Sequence, residues 1–221
     1  VSLRQVQPIL TGLDVRRVDK AMLAKIAGRK GPTPATRKRD IVAVTAVLKA
    51  CERWGWIEAI PALSKDHLIE RRDPIVLPTE ADVHRWVAAC HASHKRDETG
   101  TLGYLLLFLR QTGLRLEEAA SLLWRQVDLN RRAITLYVTK NGRGRTVTLS
   151  GTALGTLRSV TRRVDVQHVF WHGNEGRPYA NLSSRLRAIG QGCKPPIAFR
   201  AHDLRHLYAV MEMRAGRPIY D

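Results

Sequence analysis

Apolar positions along the chain fall into two groups separated by a polar stretch. In the first group Val18, Met22, Leu23 and Ile26 recur at helical spacing, until the run GRKGP at residues 28–32 breaks the pattern. Thr33 then has the character of a helix N-cap, with Pro34 at the first helical position. The helix it opens carries Ile41, Val44, Leu48, Cys51 and Trp54 along one stripe. Residues 64–77 are polar and charged, contain Pro74 and read as a linker.

The second group opens with Thr79 and Asp82 at capping-box spacing, followed by an apolar face of Val83, Trp86, Val87 and Cys90. Residues 102–111 read as a buried helix, a turn at Thr112 and Gly113 follows, and a short helix is expected near 116–123. In RRAITLYVTKNGRGRTVTLS, Ile134, Leu136 and Val138 alternate with Thr135, Tyr137 and Thr139, and Val147 and Leu149 alternate on the return. This predicts a hairpin with Asn141-Gly142 at its turn. Helices are expected near 152–163, 180–189 and 202–215. The pattern predicts a mainly α protein with a small antiparallel β-sheet: a helical domain over 1–68, a linker over 69–77 and an α+β domain over 78–221.

Charge narrows the choice of partner. Lys and Arg total 37 against 20 Asp and Glu, a formal +17 over 221 residues. A surplus of that size points first to nucleic acid and second to an anionic membrane surface. No apolar run approaches the ~20 residues of a membrane span. Cys51, Cys90 and Cys193 are odd in number, far apart and match neither zinc nor disulfide spacing, which fits a reducing, cytoplasmic setting. Arg37, Lys38 and Arg39 stand in the first turn of the helix after Thr33, where positive charge opposes the helix dipole. A phosphate docked there would reverse that penalty.

Four polar features stand out. Arg115 follows a glycine turn at the start of an apolar helix, with Glu118 one turn on. Taken alone, this is a surface ion pair worth ~0.3–0.5 kcal/mol. Lys140 stands toward the tip of the predicted hairpin, with Arg143 and Arg145 close behind as candidate DNA-backbone contacts. His202 and Arg205, in HDLRH, share a helix face. Arginine is dense throughout, and its fork grips phosphate with two parallel hydrogen bonds.

Their order is more informative than any one of them. TGLRLEEAASLLWRQVDL (112–129), TKNGRGRTVTL (139–149) and AHDLRHLYAV (201–210) resemble, in that order, the first arginine box, the lysine hairpin and the second box of the tyrosine recombinase (phage integrase) family. TPATRKRDIVAVTAVLKACERWGWI (33–57) resembles the helix pair of that family's core-binding domain. The resemblance implies a core-binding domain over 1–68 and a catalytic domain over 78–221. It implies that Arg115 and Arg205 clamp a scissile phosphate, that His202 hydrogen-bonds it, that Lys140 protonates the leaving 5′-oxygen and that Glu118 orients the site. It also implies a tyrosine nucleophile forming a 3′-phosphotyrosyl link, no metal or other cofactor, duplex DNA as partner, a tetramer on DNA, no membrane association and a cytoplasmic, nucleoid-associated location.

The sequence departs from the pattern at its end. The family's Leu-Gly-His-like motif is absent, and the run RAGRPIYD resembles the loop that precedes it. The expectation is therefore that the nucleophile lies outside these residues and that the catalytic domain is truncated. Tyr220 is too early in the pattern to serve, and Tyr104, Tyr137, Tyr179 and Tyr208 read as structural. Two alternatives stand beside the recombinase: a truncated, non-cleaving DNA-binding integrase fragment or regulator, and a type IB topoisomerase.

Overall fold

A computed structural model describes residues 2–62, 76–93, 100–137 and 144–217, with the backbone alone at 2 and 3. The chain divides into two compact units, Val1–Pro74 and Ile75–Asp221.

In the first unit, helices α1 (Ser2–Leu10), α2 (Lys20–Ala27) and α3 (Pro34–Arg53) surround a small core, with a 3-10 turn at Val15–Arg17. Each helix start after α1 is closed by a side chain: Asp19 accepts from the amide of Met22, and Thr33 accepts from the amide of Thr36. Val6, Leu23, Ile26, Ile41, Val44 and Leu48 form the core. Arg29 ties the three helices together. It pairs with the buried carboxylate of Asp40 on α3 and donates to the carbonyls of Gln5 on α1 and Ile26 on α2. Trp54 does not continue the buried stripe. The helix ends at Arg53, Gly55 turns the chain at φ +71°, and Trp54 is left 62% exposed against the similarly exposed Trp56.

The second unit is built around α5 (Leu102–Thr112), which packs against α4 (Glu80–Ala92), α7 (Gly151–Ser159) and α9 (Ala201–Arg214). It is apolar nearly all round, as a helix enclosed by others must be: Leu102, Leu105, Leu106, Phe108 and Leu109 are buried. The predicted capping box at Thr79 and Asp82 is present and starts α4. The mainly α character with a small antiparallel sheet is observed. That sheet has three strands in the order β1 (Val127–Asp128), β2 (Ala133–Leu136) and β3 (Arg145–Thr148). β1 was not foreseen, because two residues carry no alternation. Ile134 and Leu136 point into the core as the alternation predicts. The expected turn at Asn141-Gly142 lies outside the described residues, as do Val138, Thr139, Lys140 and Arg143.

Helix ends differ from the apolar pattern where local chemistry intervenes. α6 is confined to Leu116–Ala120, because a 3-10 turn at Trp124–Gln126 takes up the rest of the expected helix. α7 stops at Ser159, short of the expected 163. α8 (Leu182–Gly192) begins after Asn181 in the left-handed conformation, φ +50°, and runs past the expected 189. Gly113 terminates α5 at φ +61°, and a Cβ there would meet the Tyr208 ring at 2.3 Å. Glycine is needed at this turn on both counts, and the turn delivers the chain to the site.

Candidate functional site

Arg115 is the residue immediately before α6, and Glu118 is the third residue inside it. The Arg115 amide donates to Glu118 Oε2 at 3.0 Å, while Arg115 Nη1 meets Glu118 Oε1 at 2.7 Å. The pair is more than the local helix contact read from spacing. Arg145, at the start of β3, donates from Nη2 to Glu118 Oε2 at 2.7 Å and from Nη1 to Oε1 at 3.1 Å. A carboxylate whose side chain is only 11% exposed is thus shared by two guanidiniums from different elements. Burial alone would raise the Glu118 carboxyl. The hydrogen bonds from Arg145 and Arg115 outweigh it and hold the group below the ordinary carboxylate range.

Arg205 comes from α9, 92 positions further along than Gly113, and its Nη1 donates to the Gly113 carbonyl. The glycine turn therefore fixes both boxes, by leading into Arg115 and by accepting from Arg205. Burial, and then the like charges of Arg115 and Arg145, push the Arg205 guanidinium below its usual value, with Glu118 opposing. An arginine so placed still carries its charge. Three guanidiniums gathered around one carboxylate leave a net positive field that an anion would complete.

His202 lies on the first turn of α9, one turn before Arg205. Asp203 caps that helix start by accepting from the Arg200 amide at 2.8 Å. The His202 ring stands edge-on to His206, centroids 4.8 Å apart and planes at 89°. Burial, followed by the neighbouring charges of His206, Arg205 and Arg200 and opposed by Asp203, lowers His202 from its ordinary 6.5. At neutral pH the ring is neutral and can donate from one nitrogen while accepting at the other.

Arg115, Glu118 and His202 line one cleft of about 1450 Å³, together with Tyr137, Arg187 and Arg200. Tyr137, read from the sequence as structural, lines the cleft. It ends the described part of the hairpin on the outward side of the strand and is 61% exposed. The other tyrosines that can be assessed are packed: Tyr179 accepts from the Thr101 amide while buried, Tyr104 meets His91 edge-on, and Tyr208 lies against Gly113. Tyr220, Lys140 and Arg143 lie outside the described residues. In the first unit, Arg37 donates to the Arg29 carbonyl, Arg39 donates to the Ala35 carbonyl of its own helix, and Lys38 is half-buried.

Of the residues expected from the sequence to share a site, Arg115, Glu118 and His202 line the cleft and Arg205 is tied to the turn that leads into Arg115, while Lys140 lies outside the described residues; Arg145 was expected only as a backbone contact. Its partnership with Glu118 and the cap made by Asp203 were both missed. The Asp203 cap was signalled by its position three after Arg200, the usual place for an acidic N-terminal partner. The Arg145 contact depends on strand register and had no sequence signal. Glu118, already claimed by two arginines, is a poor metal ligand. Among the described residues, no three His, Cys, Asp or Glu side chains gather as a metal site.

The profile described as Phage integrase family matches residues 79–220, so the chain belongs to the phage integrase family. Tyrosine recombinase XerA of Saccharolobus solfataricus is 25% identical over 210 residues, covering 94% of this chain and 66% of that protein. A Haemophilus influenzae protein described as a putative integrase/recombinase is 26% identical over 175 residues, 72% of this chain and 45% of that one. The chain therefore spans about half to two thirds of these relatives. Among solved structures, the Tn1549 transposon integrase in complex with circular intermediate DNA superposes with a TM-score of 0.75 at 18% identity, covering 98% of this chain and 80% of that one. A lambda integrase dimer bound to a COC′ core site gives 0.71 at 13% identity, covering 98% and 78%. At these identities the superpositions establish the fold. Among the described residues, no helix is long and apolar enough to cross a membrane.

Proposed function

We propose that this chain is the DNA-binding and catalytic core of a tyrosine-type site-specific recombinase, an enzyme that cuts and rejoins DNA strands through a 3′-phosphotyrosyl intermediate. The observation that carries the reading is the convergence of Arg115, Arg145 and Arg205 around Glu118, with His202 on the same cleft. A phosphodiester gains negative charge as it is attacked, and fixed cations aimed at it stabilise that charge without reorganising.

In this reading Arg115 and Arg205 hold the non-bridging oxygens of the scissile phosphate, and His202 hydrogen-bonds the same group. A tyrosine hydroxyl attacks phosphorus and passes its proton to His202, the bond to the 5′-oxygen breaks, and Lys140 donates the proton that the leaving oxygen needs. The phosphotyrosyl link conserves the bond energy, so a second 5′-hydroxyl can reverse the step without ATP. Glu118 keeps the arginines oriented. Neither metal nor other cofactor takes part. Residues 1–68 serve as a core-binding domain and 78–221 as the catalytic domain, joined by a linker over 69–77. Arg37, Lys38, Arg39 and Arg143 contribute contacts to the DNA backbone. The partner is duplex DNA and the working assembly a homo-tetramer on it, inside the cell at the nucleoid. One structural relative is a lambda integrase tetramer bound to a Holliday junction, which supports the tetrameric assembly.

The test is covalent capture. The protein expressed from its full reading frame is incubated with DNA from its own genome, then denatured and run on a gel. The reading expects protein–DNA adducts that disappear on Arg115→Ala or Arg205→Ala substitution. Salt-sensitive binding with no adduct from the unaltered protein would favour the non-cleaving DNA-binding alternative.

A further inference from the structure

The residue in this site that the recombinase reading leaves without a task is Arg145. Its guanidinium grips both oxygens of Glu118, at 2.7 and 3.1 Å, in the bidentate geometry that makes arginine–carboxylate pairs strong. Its backbone is fixed twice over. It pairs in register with the buried Leu136 of β2. The residue before it, Gly144, approaches β2 so closely that a Cβ would stand 2.9 Å from the carbonyl oxygens of Leu136 and Tyr137. A side chain on so rigid a support holds its partner in place rather than searching for a ligand.

Glu118 is contested between two cations. The Arg115 guanidinium reaches it through Nη1 alone, beside the bond from the Arg115 amide to Oε2, and among the described residues its Nε and Nη2 groups meet no acceptor. Without Arg145, the carboxylate would have one guanidinium partner left. It would then draw Arg115 into the two-pronged pairing that Arg145 now occupies, turning the fork of Arg115 away from the cleft. The geometry points to Arg145 as a positioning residue: by occupying both oxygens of Glu118, it keeps the Arg115 fork available to a DNA phosphate. This inference rests on the recombinase reading. It differs from the simpler expectation that Arg145 itself touches the DNA backbone.

A double-substitution series on the whole chain separates the two roles, with a random-sequence DNA duplex as the probe and affinity measured across a range of salt. Acting through Glu118, Arg145→Ala weakens binding about ten-fold in the native background, the size usual for coupled neighbours, and less than about two-fold once Glu118→Gln has removed the competing charge. Arg145→Lys, able to hold one oxygen, recovers part of the loss. A merely structural role would give the same loss in both backgrounds. If Arg145 instead contacts phosphate, its removal in the Glu118→Gln background lowers the salt slope by about 0.9 as well as the affinity. Either result overturns the role. A second readout does not depend on the Glu118 variant: the Glu118 carboxyl, followed by carbon NMR, moves upward in Arg145→Ala. A titration that stays put would also overturn the role. If the unaltered chain shows no salt-dependent binding to the duplex, the recombinase reading falls and the role falls with it. The outcomes for Arg145 alone leave that reading standing.

Discussion

At the scale of single residues, the site is an electrostatic device built from few parts. Burial and the like charges of Arg115 and Arg145 lower the Arg205 guanidinium, and its Nη1 is tied to the Gly113 carbonyl. Removing Arg115 or Arg205 should lower the rate of strand cleavage by ~10²–10³, the usual cost of one fixed transition-state donor, with DNA binding partly retained. Histidines give a pH signature of stability. His91, His168 and His202 are all lowered from 6.5 with burial as the leading cause, so the native state holds them neutral while the unfolded chain binds the proton. Their stabilisation is complete above about pH 6.5 and is lost as pH falls below it, toward their native values. Thermal melts should therefore show Tm falling between about pH 7 and about pH 5.5, with a shallower fall in His91→Gln. A Tm that rises over that range would contradict the assigned direction.

Four residues of this site were legible in the sequence because their order, Arg then Lys then His-x-x-Arg, is itself a pattern. Arg115, Glu118, His202 and Arg205 all fall in or beside the cleft, while Lys140 lies outside the described residues. The partner of Arg145 was not legible, because it depends on Leu136 facing Arg145 across a ladder rather than on proximity along the chain. Trp54 misled for the opposite reason. Helical spacing continues in the sequence one residue further than the helix does.

At the scale of elements, the glycine turn after α5 carries the most consequence. Gly113→Ala would force φ +61° on a residue with a Cβ and drive that atom into Tyr208. It should cost ~1–3 kcal/mol and displace both Arg115 and Arg205, lowering DNA affinity along with stability. Phe108→Ala, in the enclosed centre of α5 against Phe170, should cost ~3–5 kcal/mol by chemical denaturation. Thr79→Ala should cost ~1 kcal/mol through loss of the α4 capping box; Thr79 does not line the cleft, and DNA affinity should be unchanged. Caps at Thr33 and Thr79 were readable because capping is local chemistry. β1 and the true extent of α6 were not, because each is set by what it packs against.

At the scale of the molecule, the proposed function gives the excess of 17 positive charges a polyanionic partner. Binding to duplex DNA should weaken steeply with salt, each phosphate neutralised adding about 0.9 to the slope of log affinity against log salt. A flat response, measured by fluorescence anisotropy, would separate the charge from the proposed partner. Membership of the phage integrase family and the agreement of fold with DNA-bound integrases make strand exchange the reading to test first. The direct measurement is the chemistry of the DNA ends left in adducts formed by the protein expressed from its full reading frame. The expected product is protein joined through tyrosine to a 3′-phosphate, with a free 5′-hydroxyl on the opposing end. Attachment to the 5′ side, attachment through another residue, or no adduct at all would contradict it.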